Sequence, residues 1–166
     1  MIIANFKSNG SEQMIVRWVQ DFISNIDNNH TAIGIAPPYT YIEKLGRLLC
    51  DSNQNNLKVG AQDVGVGSGA KTGSVSSSML ADLNCNFAIV GHSERRTIFN
   101  ESNELIREKV KNLISSKLTP VLCVGESYSD FENKKTLIVI KEQLNECLSD
   151  IHISQDIIIA YEPLWA

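Results

Sequence analysis

Where the apolar runs of this chain give way to polar sequence, the residues that follow are of types able to move a proton beside an anion. Asn5 and Lys7 follow Ile2 and Ile3, Gln62 follows Leu57 to Ala61, and His92 and Glu94 follow Phe87 to Gly91. Glu126 closes the run from Val121, and Glu162 closes the run from Ile157. A cation, an imidazole and carboxylates at the ends of apolar runs have the makings of general acid–base chemistry. Glu162 is the most informative of them. Its run carries no charge, and Pro163 keeps the residue before it extended. Tyr161, Pro163, Leu164 and Trp165 leave the carboxylate poorly solvated, a setting that suits a base. The alternative for Glu162 is structural pairing with a lysine or arginine. His92 is equally readable as a turn-capping histidine, and Lys7 as a rim or a surface lysine. Glu126 reads better as a helix cap or the partner of a cation, while His30 and His152 lie in polar connections and need no role.

Such residues need a scaffold, and the chain repeats one unit to provide it. Apolar runs begin near Ile2, Ala32, Leu57, Phe87, Val121 and Ile157, separated by stretches of helical period, at roughly the spacing of βα units. Ile15, Trp18, Val19, Phe22 and Ile26 share one helical face with Ser11 as its cap. Further faces are Ile42, Leu45, Leu48 and Leu49, then Ile106, Val110, Leu113 and Ile114, then Leu137, Ile140, Leu144 and Leu148. The third connection differs: Asp63 to Ser78 is rich in glycine and serine and precedes a short helix around Met79 to Leu83. A loop that long within a compact domain is usually functional or an interface. Phe87 to Val90, apolar on both faces, predicts a covered parallel strand, and Gly91 a sharp turn that delivers His92, Ser93, Glu94, Arg95 and Arg96 at the strand's carboxyl end. Alternation of this kind leaves an open doubly wound sheet or a closed barrel. The first turn reads Asn5 to Gly10 without the glycine pattern of a dinucleotide site, which weakens the doubly wound reading.

Composition narrows the classes. With 166 residues, 43% hydrophobic and 20% charged, the chain is predicted to form a single domain over residues 1–166. The net charge of -4 is scattered, with no basic stripe, which argues against a nucleic-acid partner. No apolar run approaches the roughly 20 residues of a membrane span, and the amino terminus lacks a signal-peptide core, so a cytoplasmic location is expected. Cys50, Cys85, Cys123 and Cys147 have no metal-ligand spacing and read as buried, reduced thiols.

Taken together, Ala4 to Lys7, Val59 to Gln62, Thr72 with Gly73, Val90 to Arg96, Cys123 to Glu126 and Ala160 to Ala166 resemble the triosephosphate isomerase family over the whole chain. GHSERR followed about seventy residues later by AYEP and Trp165 is the most specific part of the match. The resemblance implies an α/β fold, the (β/α)8 TIM barrel, of which this chain would cover about six βα units. It implies a homodimer acting on a small phosphorylated triose, with no cofactor and no metal. It also implies roles. Glu162 matches the base, His92 the neutral electrophile and Lys7 the active-site cation; a carboxylate base beside a neutral histidine is an established property of this family. Asn5 matches a substrate-binding residue, and Ser93 and Glu94 match supporting positions. Gln62, Thr72 and Gly73 match the loop that enters the other subunit, and Pro163 to Trp165 the first hinge of a mobile lid.

Departures from the family pattern are also visible. Phe6 and Ser8 stand where Trp and Met are common, and Ser74 stands where Glu usually pairs near Arg95 at the dimer interface. A complete barrel of this kind needs about 250 residues, so the match is expected to be an N-terminal portion, with the family's isomerisation belonging to the complete protein. The competing reading is an inactive partial barrel serving as an interaction module. A sugar-phosphate aldolase would want a Schiff-base lysine in the later strands, and none is found there.

Overall fold

The structure is a computed structural model that describes residues 1–26, 31–52, 56–152 and 155–165. His30 and Ala166 lie outside the described residues. Six strands, β1 (Ile2–Asn5), β2 (Ile33–Ala36), β3 (Leu57–Ala61), β4 (Phe87–Val90), β5 (Thr119–Val124) and β6 (Ile158–Tyr161), form one sheet in sequential order. Every pairing is parallel. Each new strand adds beside the one before it, so the order never reverses as it does in a doubly wound sheet. The twist of such a sheet curls it into an arc of a barrel. Among the described residues β1 and β6 are each paired on one edge only.

The helices follow from caps and apolar faces. Ser11 accepts from the Met14 N–H and starts α1 (Glu12–Asn25). α2 (Ile42–Cys50) follows a 3-10 turn, and Ser76 caps α3 (Ser77–Asp82). α4 (Ser93–Thr97) leads to α5 (Asn103–Ser115), which Ser102 caps; Ser127 caps α6 (Tyr128–Glu132), and α7 (Thr136–Leu148) completes the set. Ile15, Val19, Ile42, Leu45, Ile106, Val110 and Leu113 pack against the outward side chains Ile35, Val59, Ala88, Val90 and Leu122. The inward side chains Ala36, Phe87, Ile89, Val121 and Cys123 form a second cluster with Ile3, Ile158 and Ala160. Two apolar faces explain why the strands read as continuous apolar runs. Phe87 fills the concave side: a Cβ added to Gly60 would lie 2.3 Å from its ring, and one added to Gly34 2.8 Å.

Three local readings are corrected. β5 begins at Thr119, not Val121, because Pro120 is accommodated opposite Ala88 in the ladder. Leu137 is 83% exposed, so α7 packs through Ile140, Leu144, Cys147 and Leu148. Cys50 ends α2 on its exposed side, whereas Cys85, Cys123 and Cys147 are buried; all four are free thiols.

The base of the long third connection is held within the chain. Asp63 pairs with Arg95 at 3.0 Å and with Lys109 at 2.7 Å, and Glu101 pairs with the same two cations at 2.6 and 2.5 Å. Burial pushes the Asp63 carboxyl above its ordinary value, against the opposing pull of Lys109. Lys109 is only 3% exposed, so replacing it with methionine leaves two largely buried carboxylates sharing the single guanidinium of Arg95. Lys109→Met is expected to lower stability by about 3–5 kcal/mol. Urea denaturation measures this, and a loss below about 1 kcal/mol would show the network to be dispensable.

Candidate active site

The carboxyl ends of the strands share one rim, and the turn after β4 sets its chemistry. Gly91 has φ +68°, and a Cβ there would lie 3.1 Å from the Cys123 carbonyl oxygen, so the turn requires glycine. Arg96 ties this turn to β5, donating from Nε to the Gly91 carbonyl at 2.8 Å and from Nη2 to the Cys123 carbonyl at 3.1 Å. His92 then caps α4, its Nδ1 accepting from the Glu94 N–H at 3.2 Å. A neutral imidazole that accepts at Nδ1 carries its proton on Nε2. That nitrogen lies 3.2 Å from Glu162 Oε1.

Glu162 is positioned from both sides. Its N–H donates to the Val124 carbonyl at 2.8 Å, extending the β5–β6 ladder by one residue. Its carboxylate accepts from the Ser93 N–H at 3.2 Å and from the Ser93 hydroxyl at 3.0 Å. The side chain is 35% exposed, more open to water than its apolar neighbours in sequence suggest. Tyr161 points the other way, and Trp165 lies over α6. Cys123, on the neighbouring strand, cannot serve as a thiolate: burial, and then the Glu162 charge, push its thiol up to about 12.

Across the rim, Lys7 Nζ donates to Glu94 Oε1 at 2.9 Å, and that contact raises the ammonium's pKa while lowering the carboxyl's. Lys7 has φ +51°, a conformation an L-residue with a long side chain rarely takes, and its N–H is held by Asn5 Oδ1 at 2.9 Å. Lys7, Asn5, His92, Ser93, Glu94 and Glu162 are thus linked through short contacts at one end of the sheet. Gln62 is used differently. Its Nε2 donates to the Ala36 carbonyl at 2.8 Å and ties the ends of β2 and β3 together. Thr72 and Gly73 lie far along the exposed part of the third connection, Ser68 to Ser74. That connection is also less dependent on outside contacts than its composition suggests. Val64 is fully buried, and the Gly65 N–H donates to the Val75 carbonyl at 2.8 Å.

Glu126 departs from both readings taken from sequence. It is fully buried without a cation against it among the described residues, and it accepts from Tyr161 Oη at 3.1 Å, Trp165 Nε1 at 3.3 Å and Thr136 Oγ1 at 3.3 Å. Burial pushes its carboxyl up, but the donors, including its own N–H, outweigh this and hold it below the ordinary value. A depressed folded pKa means that the stabilisation is full above the unfolded value and is lost as pH falls through the folded one. Trp165 emission in a Trp18→Phe background is therefore expected to shift red as pH falls below the ordinary glutamate range, and Glu126→Gln should remove the transition. A transition that persists in Glu126→Gln would assign it to another group.

Sequence reasoning missed the network of Asp63, Arg95, Glu101 and Lys109, although a lysine within the buried stripe of Ile106, Val110 and Leu113 was a usable signal.

A sequential parallel arc with a carboxylate, a histidine and a lysine on its carboxyl rim places the chain in the class of (β/α) barrels, of which it forms part. The chain belongs to the triosephosphate isomerase family, whose family model, described as "Triosephosphate isomerase", matches residues 1–166. It is 36% identical over 169 residues to the triosephosphate isomerase of Methylococcus capsulatus, covering 100% of this chain and 66% of that protein. It is 37% identical over 169 residues to that of Vesicomyosocius okutanii, with 100% and 67% covered. With the Mycoplasmoides gallisepticum protein the identity is 43% over 142 residues, covering 84% of this chain and 55% of the relative. The chain thus spans about two thirds of the length of the first two curated relatives. Among the described residues no helix is long and apolar enough to cross a membrane.

Proposed function

We propose that this chain carries the proton-transfer centre of a triose-phosphate isomerase, with the activity belonging to a protein of the relatives' length. Glu162 takes a proton from the hydroxyl-bearing carbon next to the substrate carbonyl, and the electron pair moves onto the carbonyl oxygen to form an enediolate; the proton then returns to the former carbonyl carbon while the hydroxyl proton passes from the first oxygen to the second, leaving the carbonyl on the carbon that lost its proton. The Nε2–H of His92 polarises the substrate oxygens in the neutral form, Lys7 offsets the enediolate and phosphate charge, and Asn5 orients the substrate beside it. Ser93 and Glu94 hold the base and the cation. The observation that carries this reading is the 3.2 Å approach of His92 Nε2 to Glu162, with Ser93 fixing the same carboxylate. The proposed substrate pair is dihydroxyacetone phosphate and glyceraldehyde 3-phosphate, in a cytoplasmic protein using no cofactor or metal.

The test joins residues 1–166 to the last third of the Methylococcus capsulatus relative and follows triose-phosphate interconversion in D2O by NMR. Isomerisation with deuterium entering at the reacting carbon, abolished by Glu162→Ala, is expected. A folded hybrid that fails to isomerise would sink the proposal.

A homodimer is proposed through Gln62, Thr72, Gly73 and the surface beside them. Ile98 and Phe99 are 68% and 59% exposed, and Arg95 lies 4.1 Å over the Phe99 ring while bound by Asp63 and Glu101 in its own chain. Arg95 thus has its carboxylates within the chain, where Ser74 supplies none. Hydrogen exchange in the hybrid is expected to show Ser68 to Ser74 protected at high concentration and exposed on dilution, with Val64 protected throughout. Protection of the tip at every dilution would point to packing within one chain instead.

A further inference from the structure

The backbone that carries Glu162 lies directly on the backbone of residues 124–126. The Glu162 N–H donates to the Val124 carbonyl at 2.8 Å, and the Leu164 N–H donates to the Glu126 carbonyl at 3.0 Å. Between these two bonds the Gly125 Cα passes so close that a Cβ would fall 1.8 Å from the Glu162 carbonyl oxygen and 3.2 Å from the Pro163 nitrogen. Only glycine fits there. Yet glycine is also the residue with the widest backbone freedom, and freedom at this point would pass directly into the position of Glu162.

A side chain from a helix removes that freedom. Gln143, on α7, takes both polar groups of Gly125 with one amide: its Oε1 accepts from the Gly125 N–H at 2.9 Å, and its Nε2 donates to the Gly125 carbonyl at 2.8 Å. We infer that Gln143 is a positioning residue for Glu162, locking the one peptide segment whose close packing sets where the carboxylate sits. Among the described residues no hydrogen bond joins it to Glu162. It acts through Gly125, and it is the one described α7 side chain that bonds the Gly125 backbone. The inference rests on the reading of Glu162 as the base only for its catalytic meaning; the geometric claim can be tested without catalysis.

The probe is the Ser93 amide, which donates to Glu162 Oε2; because His92 and Glu94 flank it, the part of its pH-dependent shift that Glu162→Gln removes is taken to report the placement of that carboxylate. In the 166-residue chain labelled with nitrogen-15, the Ser93 amide shift is followed from about pH 3 to 7 in the native chain, in Glu162→Gln, in Gln143→Leu and in Gln143→Glu. The leucine variant keeps most of the volume and loses both bonds. The glutamate variant keeps the acceptor for the Gly125 N–H alone. That part of the pH-dependent shift of Ser93 is expected to fall at least twofold in Gln143→Leu and by a smaller factor in Gln143→Glu, while the amides of Val110 and Leu113 keep their native positions. A purely structural role would instead move Val110 and Leu113 and leave the Ser93 profile intact. An unchanged Ser93 profile in a folded Gln143→Leu overturns the inference, as does a native Ser93 amide that does not titrate. Should the leucine variant not fold, an unchanged profile in Gln143→Glu overturns it and a reduced one supports it. Isomerase activity does not enter the measurement, so failure of the proposed reaction and failure of the positioning role are read separately.

Discussion

Glu162→Asp, in the hybrid extended to the relatives' length, is expected to lower kcat by about 10²-fold with KM within a factor of two. The carboxylate now sits where Ser93 donates from both its N–H and its hydroxyl, at 3.2 and 3.0 Å, with His92 Nε2 at 3.2 Å. Removing one methylene draws the carboxylate back by about one bond length while the β5–β6 ladder holds the backbone still. A misplacement of about 1 Å at the reacting centre can cost on the order of 10²-fold. On the proposed reading, substrate binding rests on groups the change does not touch, Lys7 and Asn5 among them, so the loss should fall on kcat. Thermal stability should barely move. Unchanged turnover would count against Glu162 as the base, and a rise in KM with kcat intact would assign it to binding.

The fold was legible in the chain because its units repeat one rule. Apolar runs flanked by serine caps and amphipathic stretches specify βα units, and six of them in sequence permit only a few topologies. Periodicity does not separate the barrel arc from the doubly wound sheet; the family resemblance implied the barrel, and the sequential strand order agrees with it. Of the candidate site, the strand-end positions of Lys7, His92 and Glu162 were readable because Gly91 and Pro163 constrain the backbone beside them. What could not be read was which polar partners meet across the fold. Glu126 looked like a helix cap because its donors, Tyr161 and Trp165, arrive from 35 and 39 residues further along. Gln143 is one unremarkable polar residue on a helix until Gly125 is placed against it. The solvation of Glu162 was misjudged for a related reason: its sequence neighbours are apolar, yet Tyr161 and Trp165 turn away from it and Ser93 takes their place.

The 166-residue chain alone is expected to isomerise triose phosphate poorly, although the proposed base, electrophile and cation are all present in it. The site is built along one side of an open arc. Lys7 has a side chain 51% exposed and already paired with Glu94, and Glu162 is 35% open to solvent. Lys7, already bound by Glu94, is the cation among the described residues that the proposed reading offers to substrate, so a phosphate dianion would find little to grip on the described rim. Binding energy from the non-reacting phosphate is what places the reacting carbons. Two or three charge-assisted hydrogen bonds, at roughly 1.5–3 kcal/mol each, make a difference of about 3–9 kcal/mol. That corresponds to on the order of 10² to 10⁶ in kcat/KM. Water entering from the open side also weakens the contacts among His92, Lys7 and Glu162, because the same charges attract less in a higher dielectric. The unpaired edges of β1 and β6 and the half-exposed outer side chains Ile159 and Tyr161, at 44% and 56%, favour association between copies as well. The measurement is an interconversion assay on chain verified by mass spectrometry, with its Glu162→Ala variant as the contamination control and the hybrid as the reference. Activity within tenfold of the hybrid that vanishes in the control would show that the arc suffices and that the opposite wall of the barrel contributes little to catalysis.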